Sequence, residues 1–261
     1  MTQFATSTDG TRIAYWRSGS GPMVLIVHGA GGDHTPWAPL FAMLSPSCTV
    51  VIFDRRGRGR SGDTLPYALE REVEDVVTLA ELLQPACVLG HSFGMLIALE
   101  AARASAAVRS LILYEAWPDP SDDYTTFAGL SEMEALAAEG RRTEIVEYGG
   151  SAEEIEEVHR SFRWPEFLGA ALVLPREIRA ISTFWSAHPV SEARWRGLAI
   201  PILLVYGEKN PEQGQGAIAL AATLRNARVE MLRGQGHRAN YEGPEVLAAA
   251  IRTFLSGLSA E

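Results

Sequence analysis

The sequence predicts an α/β fold in which a mostly parallel central sheet is flanked by helices and interrupted by a helical insertion. Three observations carry that reading. Short β-rich runs, apolar on both faces, recur along the chain; helical patterns separate them; and the alternation lapses once, from Pro118 to Gly197, before resuming at Ile200-Pro201-Ile202. Strands apolar on both faces suit a parallel sheet covered by helices on two sides. A single domain of 261 residues buries roughly three quarters of its unfolded surface, so it needs no disulfide staples.

The chain opens with strand-like runs at Phe4 to Ser7 and Arg12 to Trp16 around Asp9-Gly10, a pair suited to a hairpin turn. Further strands are expected at Met23 to Val27, Thr49 to Phe53, Cys87 to Leu89, Val108 to Tyr114, Ile202 to Tyr206 and Val229 to Leu232. Leu69 to Leu83 carries apolar residues at helical spacing and is stopped by Pro85. Met95 to Ala107 also reads as a helix, and Pro244 to Leu255 as the closing one, with proline at an acceptable first-turn position.

Cys48 and Cys87 lie within apolar runs, which suits buried thiols better than a disulfide framework. The first apolar run, Met23 to Val27, is too short for a signal peptide core or a membrane span, so a cytoplasmic setting is expected. The formal charge of −9 opposes general affinity for nucleic acid or anionic lipid, which require surplus Lys and Arg. That charge is uneven. Between Trp117 and Arg196 stand fifteen acids against eight arginines.

The chemistry is concentrated in loops at strand ends. Gly90-His91-Ser92-Phe93-Gly94 follows a strand and precedes a helix, the context of a G-x-S-x-G nucleophile elbow. The glycines keep Cβ atoms away from the strained bend, and the helix N-terminus supplies N–H groups near developing negative charge. A serine needs a base. His237, in Gly234-Gln235-Gly236-His237 between the last strand and last helix, is placed to supply one. His28, His34 and His91 sit in or beside glycine motifs and read as structural or pocket-lining, while nothing marks His159 or His188 as chemical. His28-Gly29-Ala30-Gly31-Gly32 turns backbone amides into the site, so Ala30 and Phe93 are the expected oxyanion donors. Neither phosphate-loop spacing, G-x-G-x-x-G or G-x-x-x-x-G-K-[ST], is present there.

In order, His28-Gly29, Asp54-x-Arg56-Gly57-x-Gly59-x-Ser61, Gly90-His91-Ser92-Phe93-Gly94 and Gly236-His237 resemble the α/β-hydrolase superfamily over all but the insertion. The resemblance implies an α/β-hydrolase core at residues 1–116 and 198–261, with residues 117–197 as a helical cap. It also implies that Asp54 to Ser61, with Arg55, Arg56, Arg58 and Arg60, is a structural turn rather than a basic patch.

One position departs from the pattern. Many members place the triad's acid where this chain has Asn210, in Tyr206-Gly207-Glu208-Lys209-Asn210-Pro211. A neutral amide cannot stabilise an imidazolium. Glu115, just past Leu111-Ile112-Leu113-Tyr114, stands at the end of a buried strand, where an unpaired charge is costly. It is similar to the acid after the sixth strand in some haloalkane dehalogenases. Glu115 is therefore the leading acid; Glu208, Asp119 or no acid at all are the remaining choices. On this reading Asn210→Ala should do little.

The insertion holds ten of the chain's twenty-two aromatics, including Trp117, Tyr124, Phe127, Phe184, Trp185 and Trp195. Half or more are expected to hold the insertion together, with the rest lining an apolar pocket. The implied activity is cleavage of a carboxylic ester or lactone through a serine acyl-enzyme. Acyl transfer, C–C cleavage, cyclisation, or ligand binding with weak turnover are alternatives. No metal or organic cofactor is implied, and the implied partner is a small hydrophobic substrate rather than nucleic acid or membrane.

Overall fold

A computed structural model describes residues 1–115, 127–188 and 192–258. The strands are β1 (Gln3–Thr6), β2 (Arg12–Ser18), β3 (Met23–Val27), β4 (Thr49–Phe53), β5 (Cys87–His91), β6 (Leu111–Tyr114), β7 (Ile202–Gly207) and β8 (Ala227–Leu232). They form one eight-stranded sheet among the described residues, in the order β1-β2-β4-β3-β5-β6-β7-β8. β1 pairs with β2, and β2 with β4, antiparallel; every pairing from β3 to β8 is parallel. The opening hairpin turns through Ser7 to Thr11, where Gly10 takes φ +86°.

Alternate strand residues face opposite sides, and both sides are buried. Leu25, Val27, Val51, Val88, Leu113 and Leu204 pack under α2 (Leu69–Leu83), α3 (Phe93–Ala104) and α9 (Pro211–Ala221). Their neighbours Val24, Ile26, Val50, Ile52, Leu89, Ile112 and Leu203 pack under α1 (Ala38–Leu44) and α11 (Pro244–Leu258). Cys48 and Cys87 lie unpaired and buried in this second layer. α2 has the expected bounds and ends on Gln84 in the left-handed conformation, φ 50°. The sequence hid α1, α9 and the short α10 (Ala239–Glu242).

Between β6 and β7 run α4 (Leu130–Ala138), α5 (Arg142–Val146), α6 (Ala152–Arg160), α7 (Trp164–Ala170) and α8 (Leu174–Ala187). The expected insertion boundary at 117, with Trp117, Asp119 and Tyr124, lies outside the described residues. No described helix is long and apolar enough to cross a membrane.

The arginine-rich turn after β4 lies inside the molecule. Arg55, Arg56 and Arg58 are buried; Arg55 pairs with Glu72 and Glu177, and Arg56 with Asp75 and Asp9. Asp54 accepts hydrogen bonds from the backbone of His34 and Arg60. Ser61 ties the turn to β2, accepting the Ala14 N–H at 2.9 Å.

Candidate active site

The C-terminal ends of β3, β5, β6 and β7 converge on Ser92, the residue between β5 and α3. Ser92 has φ 54° and ψ −129°, a conformation that costs a non-glycine residue energy and persists only where surroundings enforce it. The enforcement is visible. Ser92 N–H donates to the Tyr114 carbonyl at 3.0 Å, and its own carbonyl accepts the Met95 N–H at 2.9 Å. A Cβ on Gly94 would lie 2.2 Å from the Val27 carbonyl oxygen, and one on Gly90 would lie 2.5 Å from the Gly94 carbonyl oxygen. α3 therefore begins at Phe93, directly after the serine, rather than at Met95 as the apolar spacing suggests.

Parallel pairing of β5 with β6 sets His91 opposite Tyr114, so Glu115 is carried to the sheet edge beside Ser92. Glu115 is fully buried and itself left-handed, with φ 42°. Three donors surround its carboxylate: Gly207 N–H at 2.7 Å to Oε1, Asn210 Nδ2 at 2.7 Å to Oε2, and His237 Nδ1 at 3.0 Å to Oε2. A His237 that donates through Nδ1 keeps Nε2 for the cavity it shares with Ser92. Asn210 does not hold the imidazole. It donates to the carboxylate that does, so a side chain expected to matter little has a partner inside the site. Glu208 is occupied elsewhere, accepting the Gly234 N–H at 2.8 Å.

The loop carrying His237 is fixed from below. His91 Nε2 donates to the His237 carbonyl at 2.9 Å, and the Tyr114 hydroxyl donates to the Gly236 carbonyl. Burial, then His237 nearby, pushes the His91 pKa well below its usual value, which suits a neutral structural imidazole. His28 is also buried; its Nδ1 donates to the Gly29 carbonyl at 2.9 Å and its Nε2 accepts the Arg55 N–H at 3.2 Å. Desolvation, with Arg55 and Arg58 adding to it, pushes this histidine far down too.

Ala30 and Phe93 line the same cavity as Ser92 and His237. Phe93 is the first residue of α3 and so has no acceptor within the helix for its N–H. The cavity measures about 430 Å³, with Met95, Leu96, Phe127, Ile181 and Trp185 as its apolar walls and Asn210, Glu212 and Gln213 as its polar side. Of the insertion's described aromatics, Phe127 and Trp185 reach it. Phe184, Trp185 and Trp195 pack edge to face, and the Trp195 indole donates to Glu100 of α3 at 2.8 Å, pinning the insertion to the core. Phe162, by contrast, is 72% exposed.

The fold and this site define a class. The model of the Alpha/beta hydrolase family matches residues 24–250, and the chain belongs to that family. A 2-(acetamidomethylene)succinate hydrolase of Mesorhizobium japonicum is 26% identical over 91% of this chain and 89% of its own length. A candidate carbamate hydrolase, RutD, of Pseudomonas savastanoi pv. phaseolicola is 26% identical over 90% and 94%. A shorter match, 34% identical over 37% of this chain, spans 38% of the corresponding protein of Enterobacter cloacae subsp. cloacae. Among solved structures, an alpha/beta hydrolase from Sphaerobacter thermophilus superposes with a TM-score of 0.84 at 34% identity, covering 97% of this chain and 99% of that one. A thermophilic esterase from Thermogutta terrifontis gives 0.71 at 25% identity, covering 99% of each. The chain is a hydrolase-family enzyme.

Proposed function

We propose that the enzyme cleaves a carboxylic ester or lactone of a small, largely apolar molecule through a serine acyl-enzyme. The observation that carries this is the hydrogen bond from His237 Nδ1 to the buried Glu115 carboxylate, 3.0 Å long, in the wall of a cavity that Ser92 also lines. Ser92 Oγ attacks the carbonyl carbon while His237 Nε2 takes its proton. The Ala30 and Phe93 amides receive the negative oxygen. His237 then protonates the leaving alkoxide, water enters, and the same steps in reverse order of roles release the acid. Glu115 orients the imidazole and stabilises it when protonated. The described helices of the insertion, α4 to α8, act as a cap over the site. The unpaired buried thiols of Cys48 and Cys87 support a reducing, cytoplasmic setting.

Met95, Leu96, Ile181 and Trp185 support an apolar acyl group. For p-nitrophenyl esters, kcat/KM should rise from acetate to about hexanoate, each buried methylene contributing roughly 0.8 kcal/mol at most. A flat or falling series would contradict the apolar assignment.

A further inference from the structure

The glycine loop that contributes Ala30 is held from the insertion side by two carboxylates. Glu177 of α8, fully buried, accepts the Gly31 N–H at 3.0 Å and pairs with Arg55 at 2.5 Å and Arg58 at 2.8 Å. Glu166 of α7 accepts the Asp33 N–H at 3.2 Å. Arg55 in turn donates through Nη1 to the Gly29 carbonyl at 2.9 Å and the His28 carbonyl at 3.3 Å, and its guanidinium lies 4.7 Å from the centre of the Phe93 ring.

The Gly29 carbonyl and the Ala30 N–H belong to one rigid peptide plane and point opposite ways across it. An arginine that fixes that carbonyl therefore fixes the direction of the Ala30 N–H. The next plane is fixed at Gly31 by Glu177 itself. Ile181 and Trp185, one and two turns further along α8, line the cavity, so the helix face that meets substrate is the face that grips the loop.

We infer that Glu177 is a positioning residue that sets the Ala30 amide for the oxyanion, through Arg55 and the Gly31 N–H, and so links turnover to the seating of α8. This rests on the acyl-enzyme reading, and the test separates the two. Glu177→Asp keeps a charge between Arg55 and Arg58 but withdraws it by one methylene from Gly31. Losing an oxyanion donor outright costs about 10²–10³-fold, so a misdirected one should cost about 10–100-fold.

The aspartate variant should lose that factor in kcat on p-nitrophenyl butyrate, with KM within about twofold. The Ki of a trifluoromethyl ketone of matching chain length should rise by the same factor, because its adduct with serine carries the same oxyanion; a merely structural role would not move kcat and Ki together at constant KM. Glu177→Gln should show the loss together with a lower Tm, since buried Arg55 is then left with Glu72 alone and Arg58 loses its 2.8 Å carboxylate partner. A folded Glu177→Asp enzyme with unchanged kcat and Ki would overturn the inference. If instead a fluorophosphonate fails to label Ser92 of the unaltered enzyme, the acyl-enzyme reading falls and carries this inference with it.

Discussion

At the scale of single residues, Asn210 and Glu115 act as a pair rather than as rivals. Glu115→Gln should lower kcat by about two to four orders of magnitude, since a neutral amide no longer stabilises the imidazolium. Asn210→Ala removes one of the three donors to that carboxylate, and steady-state kinetics should show a loss of roughly threefold to tenfold, on the scale of about 1 kcal/mol per hydrogen bond. Asn210→Asp should be worse than alanine, because it sets a like charge where Nδ2 now lies 2.7 Å from Oε2. An Asn210→Asp enzyme more active than the parent would mean that His237 takes its support from position 210. Glu115 was legible in the sequence because a charge at the end of a buried strand demands a partner. Asn210's role was not, since the partner lies 95 residues away and only the β6–β7 pairing brings them together.

At the scale of elements, the strands were legible to within a few residues because a two-sided sheet writes its burial directly into apolar runs. Of the three helices the sequence hid, one is instructive. α9 reads Pro-Glu-Gln-Gly-Gln-Gly-Ala-Ile-Ala-Leu-Ala, and two glycines mask its periodicity. Gly214 stands there because a Cβ would lie 2.5 Å from the Tyr206 ring, so α9 packs closer to β7 than any side chain allows. In an open helix Gly→Ala stabilises by about 1 kcal/mol. Here Gly214→Ala should instead lower Tm, as overpacking typically costs about 1–3 kcal/mol. A raised Tm in thermal unfolding would show that Tyr206 yields freely and that the close approach is incidental.

At the scale of the whole molecule, the uneven charge acquires a structural reason. The acidic insertion and the arginine-rich turn, more than a hundred residues apart in the sequence, meet in the interior, where Glu177 pairs with Arg55 and Arg58. Pairings of this kind are tertiary, so no local pattern announces them. His28 lies beside the same arginines, and its depressed pKa makes folding pH-dependent. The unfolded chain protonates this histidine near pH 6.5 while the folded one resists, so stability falls as pH drops below 6.5 by up to about 1.4 kcal/mol per pH unit. Denaturant unfolding between pH 7 and 5 should therefore show a shallower pH slope in His28→Gln than in the parent. Equal slopes would place the proton uptake elsewhere.

The proposed chemistry requires a covalent bond to form at Ser92 with His237 and Glu115 behind it. The direct measurement is mass spectrometry of the enzyme after exposure to a fluorophosphonate. One phosphonyl adduct is expected, on the peptide containing Ser92, formed far more slowly in His237→Ala and Glu115→Gln and absent in Ser92→Ala. An unlabelled Ser92, or a Ser92→Ala enzyme that still turns over esters at the parent rate, would contradict it.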